Sequence, residues 1–306
     1  MHWWFTPDVT AWSKSAEEPI GLRPKHWVTD GTGTEWLRKQ SLAWRPAELA
    51  VEAVTLELAR RCGYPVAYGT CCTWQENGQT VRGFASRKFQ DAMEAQASGG
   101  ELIAPHINLA DDLTSAEQEK QRRIKTTLAV ARTALEEQER RYDVKLIEPL
   151  VRMLVFDAWI GNGDRHSANW AILVRSELHG SACRLAPMYD TAGCLLAELT
   201  DDTIEQRYRR GMEDEAVARY IARCGSGFGD GASLTGVPHA SLLEELRTWP
   251  EWQRCAPGLV AFFSNNLAMV DSVLEAVPDA WLSARRKQLI GRVLVGRVKM
   301  LQGLTS

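Results

Sequence analysis

Long apolar runs are missing from this 306-residue chain. One candidate, Gly258-Leu-Val-Ala-Phe-Phe263, is cut off by Ser264-Asn265-Asn266, far short of the roughly 18 residues a membrane helix needs. The N-terminus has no basic stretch leading into about 7–15 apolar residues, so no secretory signal is expected. Neither charge sign is in large excess: 36 Lys and Arg against 39 Asp and Glu leave a net charge of −3. That excludes the basic surplus of a protein that neutralises many nucleic-acid phosphates, and direct nucleic-acid binding is not expected. Zinc spacing is absent too. Of seven cysteines only Cys71 and Cys72 are adjacent, and there is no Cys-x-x-Cys or His-x₃-His. Reduced, mostly buried thiols and a cytoplasmic setting are the expectation. No repeat and no low-complexity tract is visible. The remaining composition, 45% apolar and 25% charged, is that of an ordinary globular chain, long enough for about two domains or lobes. The 12 tryptophans are spread along the chain and read mainly as packing residues.

The first hundred residues read as short strands around one helix. Strands are expected at Lys25–Thr29 and Glu35–Lys39 around the turn Asp30–Gly33, and at Tyr68–Trp74 and Val81–Phe89 around Glu76-Asn-Gly78. A helix is expected from Ala47 to Cys62, ended by Gly63 and Pro65. Beyond Gly99-Gly100 the pattern becomes helical. Thr114-Ser-Ala-Glu117 has capping-box spacing and predicts one long charged helix to Arg141. Leu146–Trp159 predicts a buried helix, and Trp170–Val174 and Cys183–Ala186 predict two short strands. From about Glu213 the chain reads as helical, with Gly225–Gly231 as a flexible linker between helices. The C-terminal stretch Trp281–Lys299 predicts a helix with a packed apolar face and a solvated basic face. The reading is α+β and bilobal, with a β-rich lobe over residues 1–100 and a helical lobe over 101–306.

The most informative segment is Ile160-Gly-Asn-Gly-Asp-Arg-His-Ser-Ala-Asn-Trp170. Asp164 is followed at +5 by Asn169, and a later strand leads into Ala186-Pro-Met-Tyr-Asp190. Transfer of a γ-phosphoryl group needs a carboxylate to orient or deprotonate the acceptor hydroxyl, and oxygen ligands for magnesium. An Asp, an Asn at +5 and a later Asp after a strand have the spacing of kinase catalytic and metal loops.

Gly-x-Gly-Asp-Arg-His-x-x-Asn resembles the catalytic loop of the phosphatidylinositol 3-/4-kinases. Leu185-Ala-Pro-Met-Tyr-Asp190 resembles the metal segment of HipA-like serine/threonine kinases, as Gly21-Leu-Arg-Pro-Lys25 resembles their phosphate loop. Val81–Phe89 is similar to the strand entering that family's inter-lobe hinge. The resemblance implies a protein-kinase-like fold and a site for ATP and magnesium. Asp164 would act on the acceptor hydroxyl, with His166 beside it either in proton transfer or as a packed residue that shapes the loop. Asn169 and Asp190 would hold the metal. Gly21, Arg23, Lys25, Lys39, Arg87 and Phe89 would face the nucleotide, and Glu52, or Glu48 one turn earlier, would hold Lys39. Arg165 is expected to be structural and Arg38 a solvated surface charge. No Ser or Thr lies within Glu18–Lys25, where many relatives carry a self-phosphorylated serine. The implied activity is a toxin- or effector-type protein kinase, whose partners would be a protein substrate such as an aminoacyl-tRNA synthetase or a host protein, and an antitoxin. A phosphoinositide or small-molecule kinase and an ATP-binding pseudokinase are the alternatives.

Overall fold

The computed structural model describes residues 3–15, 23–108, 114–177, 180–209, 211–232 and 236–305. Eight strands and eleven α-helices follow in order among them. The first part holds β1 (Ser13–Lys14), β2 (Lys25–Thr29), β3 (Glu35–Gln40), α1 (Glu48–Arg61), β4 (Gly69–Glu76) and β5 (Gln79–Arg87). Its five strands form one antiparallel sheet in the order β1-β2-β3-β5-β4. Strand alternation sends neighbouring side chains to opposite faces. Cys71 therefore joins the main core under α1, while Cys72 joins a small outer core with Val28, Trp36 and Trp74.

Arg38 lies on that outer face, but it is buried, not solvated. Val9 and Trp12 cover the face, fixed by the Val9 amide to Thr73 O at 2.8 Å. The Arg38 guanidinium stacks 4.2 Å from the Trp74 ring centre.

Next come β6 (Glu94–Ser98), α2 (Gly99–Ile103), α3 (Ser115–Lys125), α4 (Leu128–Tyr142), α5 (Ile147–Ile160), β7 (Ala171–Glu177) and β8 (Gly180–Leu185). β6 pairs with β7 and β7 with β8 in a second antiparallel sheet. The strand β6 went unseen in the sequence. The expected long helix to Arg141 is two helices, broken at Thr126-Thr127. Thr127 caps α4 by accepting from the Val130 amide at 3.3 Å. Gly229 and Gly231 donate their amides to Thr126 O and Ile124 O at 2.9 and 3.2 Å, which satisfies carbonyls that α3 leaves open.

The remaining helices are α6 (Asp201–Arg207), α7 (Glu213–Arg223), α8 (His239–Leu246), α9 (Pro250–Asn265), α10 (Leu267–Glu275) and α11 (Ala284–Thr305). The apolar helix α5 is the hub, packed by α9 and α11. Leu150, Leu154 and Trp159 join Leu259, Phe263, Leu294 and Val298 in one core, with Trp159 stacked on Phe263 at 4.3 Å. No helix among the described residues is long and apolar enough to cross a membrane.

The basic face expected of α11 is only partly solvated. Arg286 and Arg297 are buried, Arg286 because it binds Asp201 and the Leu196 and Leu199 carbonyls. The Gly225–Gly231 stretch is no linker either. A Cβ on Gly227 would fall 2.2–2.5 Å from the Arg165 backbone, so only glycine lets this segment lie against the loop that follows α5.

Candidate active site

Helix α1 is buried nearly all round, including Glu52. A carboxylate there needs a cation, and β3 supplies it: Lys39 Nζ lies 2.8 Å from Glu52 Oε1 and 3.2 Å from Oε2. Glu48 has other partners, the Arg23 and Arg45 guanidinium groups. The same Lys39 ammonium reaches Asp190 Oδ1 at 2.8 Å, across 151 residues of sequence. Burial works against a charge on Lys39, but Glu52 and Asp190 outweigh it and raise its pKa. Burial likewise opposes the Asp190 carboxylate. Lys39 at contact distance, with Lys25 and Arg165 behind it, holds that carboxyl below its ordinary value.

Asp190 is placed by its neighbours on both sides. It has a positive φ of 53°, a backbone state that is costly for a non-glycine residue and needs support. Before it, Met188 is strapped to the chain entering β4 by Met188 N to Pro65 O at 2.9 Å and Ala67 N to Met188 O at 2.8 Å. After it, the Thr191 hydroxyl meets the Thr55 hydroxyl of α1 at 2.6 Å in the core.

The candidate catalytic loop leaves α5 at Gly161, whose left-handed φ of 74° ends the helix. Asp157, inside α5, binds the Asn162 amide group at 2.9 Å and the Arg165 guanidinium at 2.7 and 3.0 Å. Arg165 is fully buried and also donates to Asn169 O at 2.6 Å and Tyr189 O at 2.9 Å. It is therefore a structural pin joining α5, the catalytic loop and the Asp190 loop. Asn169 Nδ2 donates to Asp164 O at 2.7 Å, and its Oδ1 accepts no hydrogen bond among the described residues. The Asp164 carboxylate is 57% exposed, with His166 Nε2 at 3.7 Å. His166 Nδ1 in turn accepts the Ala168 amide at 3.2 Å, fixing the ring beside Asp164.

The remaining expected residues spread along the cleft. Lys25 pairs in register with Lys39 across β2 and β3 and has no ion-pair partner among the described residues. Burial, then Lys39 and Arg23, lower its pKa against the pull of Asp190. Arg23 is committed to Glu48 and to Gln40 O. Arg87 ends β5 with its side chain exposed, and Phe89 stacks on Tyr189 at 5.3 Å. Gly21 lies outside the described residues.

The donor set fits a magnesium–nucleotide complex. Magnesium takes few protein oxygens and completes its shell with phosphate and water, and Asn169 Oδ1 with the second Asp190 oxygen is such a pair. Among the described residues no three His, Cys, Asp or Glu form a metal cage. Lys39 and Lys25, the latter without an ion pair among the described residues, give the cleft positive charge for phosphates.

A family model, the HipA-like C-terminal domain, matches residues 19–246. The chain belongs to the HipA-like kinase family. Among solved structures this HipA-like chain is similar to the Helicobacter pylori proinflammatory kinase CtkA, with a TM-score of 0.70 and 18% identity over 98% of this chain and 97% of that one. At that identity the likeness establishes the kinase fold. The apo GRMZM2G135359 pseudokinase has 13% identity over 94% of this chain and 86% of that one, but its TM-score of 0.23 carries no argument. No curated protein matches the sequence.

Sequence reasoning missed Asp157 and Gly193. Asp157 had a signal, a carboxylate inside an apolar helix. Gly193 had none: only the fold shows that a Cβ there would fall 2.7 Å from Asp164 Cβ.

Proposed function

We propose that the chain is a magnesium- and ATP-dependent kinase that phosphorylates a serine or threonine hydroxyl of a protein. The observation that carries this reading is Lys39 held at 2.8 Å from both Glu52 and Asp190, opposite a loop that presents Asp164 and Asn169. Bound magnesium–ATP supplies the phosphoryl group and neutralises its developing charge. Lys39, oriented by Glu52, binds phosphate oxygens, and Lys25 adds a second cation. Asn169 and Asp190 hold the metal. Asp164 orients the acceptor hydroxyl and takes its proton, with His166 setting the carboxylate's position. Phe89 and Arg87 border the nucleotide where the two lobes join. The chain carries Lys39, Glu52, Asp164, Asn169 and Asp190, the groups that turnover calls for, which favours an active enzyme over a pseudokinase.

The test is intact-mass spectrometry with ATP consumption after incubation with magnesium–ATP. Wild type should gain phosphate or consume ATP, and Asp164→Ala and Asp190→Ala should each lower the rate by roughly 10²–10⁴-fold. Turnover that persists in both variants would overturn the assignment.

A further inference from the structure

Behind the catalytic loop lies positive charge that the phosphotransfer chemistry leaves unused. Arg297 of α11 is 0% exposed and donates its Nε to Ala158 O at 2.5 Å. Neither terminal nitrogen meets an oxygen or nitrogen acceptor; the titratable groups around them are Cys224, whose sulfur is a weak hydrogen-bond partner, Cys194, Tyr220 and the buried His239, and none is a carboxylate. A buried guanidinium without a counter-anion is costly, and an unsatisfied group of this kind points to a missing ion or water.

Its guanidinium packs under Gly161, where a Cβ would fall 3.2–3.3 Å away. Gly161 and Cys224 line a cavity of about 510 Å³ whose wall carries Arg207, Arg219 and Arg223. Arg219 pairs with Glu215. Arg207 and Arg223 form no ion pair among the described residues. Glu198 is also on the wall, and burial raises its carboxyl pKa.

This cavity shares Gly163 and Gly193 with the catalytic loop and its neighbour. Gly163 directly precedes Asp164, and Gly193 lies against the Asp164 Cβ. An extended chain advances about 3.3 Å per residue, so a segment with its hydroxyl at Asp164 carries its next few residues over the cavity. A lipid surface fits poorly, because five of the six basic residues of α11 are turned inward or paired, leaving only Lys299 exposed without an ion pair among the described residues. Arg286 binds Asp201, Lys287 binds Asp279 and Arg292 binds Asp214.

We propose that this cavity is an anion-recognition subsite on the acceptor side, which takes a glutamate, aspartate or phosphoserine a few residues from the hydroxyl being phosphorylated. Arg207 and Arg223 contact the anion at the wall, and Arg297 supplies buried positive potential beneath it. The inference rests on the kinase reading for its orientation, but binding can be measured without catalysis.

The probe is a positional set of fluorescent peptides with alanine in place of the acceptor serine and glutamate or phosphoserine at successive flanking positions, followed by anisotropy at low salt. Wild type should bind at least one acidic register about tenfold or more tighter than the neutral peptide, and Arg207→Ala/Arg223→Ala should erase that preference. Arg207→Glu/Arg223→Glu should instead favour the lysine-substituted peptide, which a misfolded variant cannot do. Equal binding of acidic and neutral peptides, or a preference untouched by both double variants, overturns the subsite. Arginine-dependent binding to phosphoinositide vesicles but not to peptides overturns the protein-segment assignment. Magnesium–ATP turnover by wild type, run alongside, separates the two readings. Turnover without acidic preference removes the subsite alone, and arginine-dependent preference without turnover removes the kinase reading alone.

Discussion

Two buried cations sit on opposite sides of the catalytic loop, and their surroundings differ. Lys39 has two carboxylates within 2.8 Å, whereas Arg297 has one backbone carbonyl, a cysteine sulfur and no carboxylate. Burying either charge is expensive. The Lys39 network repays that cost within the fold, and it comes from three distant segments whose only common purpose is the cleft. The Arg297 neighbourhood is incomplete in the protein alone. A closed ion network marks a site built to hold its own geometry, and an open one marks a place where something else supplies the anion.

Substitution by an apolar side chain of similar length tests this contrast most strongly. Lys39→Met leaves the Glu52 carboxyl without its partner in the core, so it should destabilise folding by about 3–5 kcal/mol in urea or thermal melts. Arg297→Met removes a charge that has no carboxylate partner, and its expected effect is within about 1 kcal/mol or slightly stabilising. Equal losses would erase the distinction between the two regions.

A second, smaller effect separates geometry from stability. Gly193→Ala places a methyl group 2.7 Å from Asp164 Cβ. Turnover should fall by about 10–100-fold from a misplaced carboxylate, with little change in melting temperature. Unchanged turnover would mean that Asp164 is not held by this contact.

The smallest expected effect is on acid stability. The folded pKa of Asp190 lies below its ordinary 3.8, so its contact with Lys39 contributes above that value and is lost as pH falls through the lower folded one. The melting temperatures of wild type and Asp190→Asn should differ at pH 7 and converge only well below pH 3.8. Convergence already at pH 6 would contradict a depressed carboxyl.

Much of the first region was legible in the sequence, because its elements are local. Alternation in Lys25–Thr29 and Glu35–Gln40, and the Gly63 stop after α1, gave the sheet and helix nearly as they stand. The spacing of Asp164, Asn169 and Asp190 marked the candidate site, because the proposed phosphoryl transfer would need all three at fixed intervals. What escaped was decided by distant partners. The charge pattern of 115–141 runs on through Thr126-Thr127, and the break is held by glycine amides from the far side of the lobe. Arg38, Arg286 and Arg297 look like surface charges in sequence, but each is covered by an element from elsewhere in the chain. The Gly225–Gly231 stretch reads as slack, while its Gly227 is required by close contact with the Arg165 backbone.

The central claim is that the Lys39–Asp190 contact is the ligand-free form of a magnesium–nucleotide site. Calorimetric titration with ATP, with and without magnesium, on wild type and Asp190→Asn tests it directly. Magnesium should tighten ATP binding to wild type by about tenfold or more, and this gain should vanish in Asp190→Asn. Identical ATP affinity with and without magnesium in wild type, or a magnesium gain that survives in Asp190→Asn, would contradict the account.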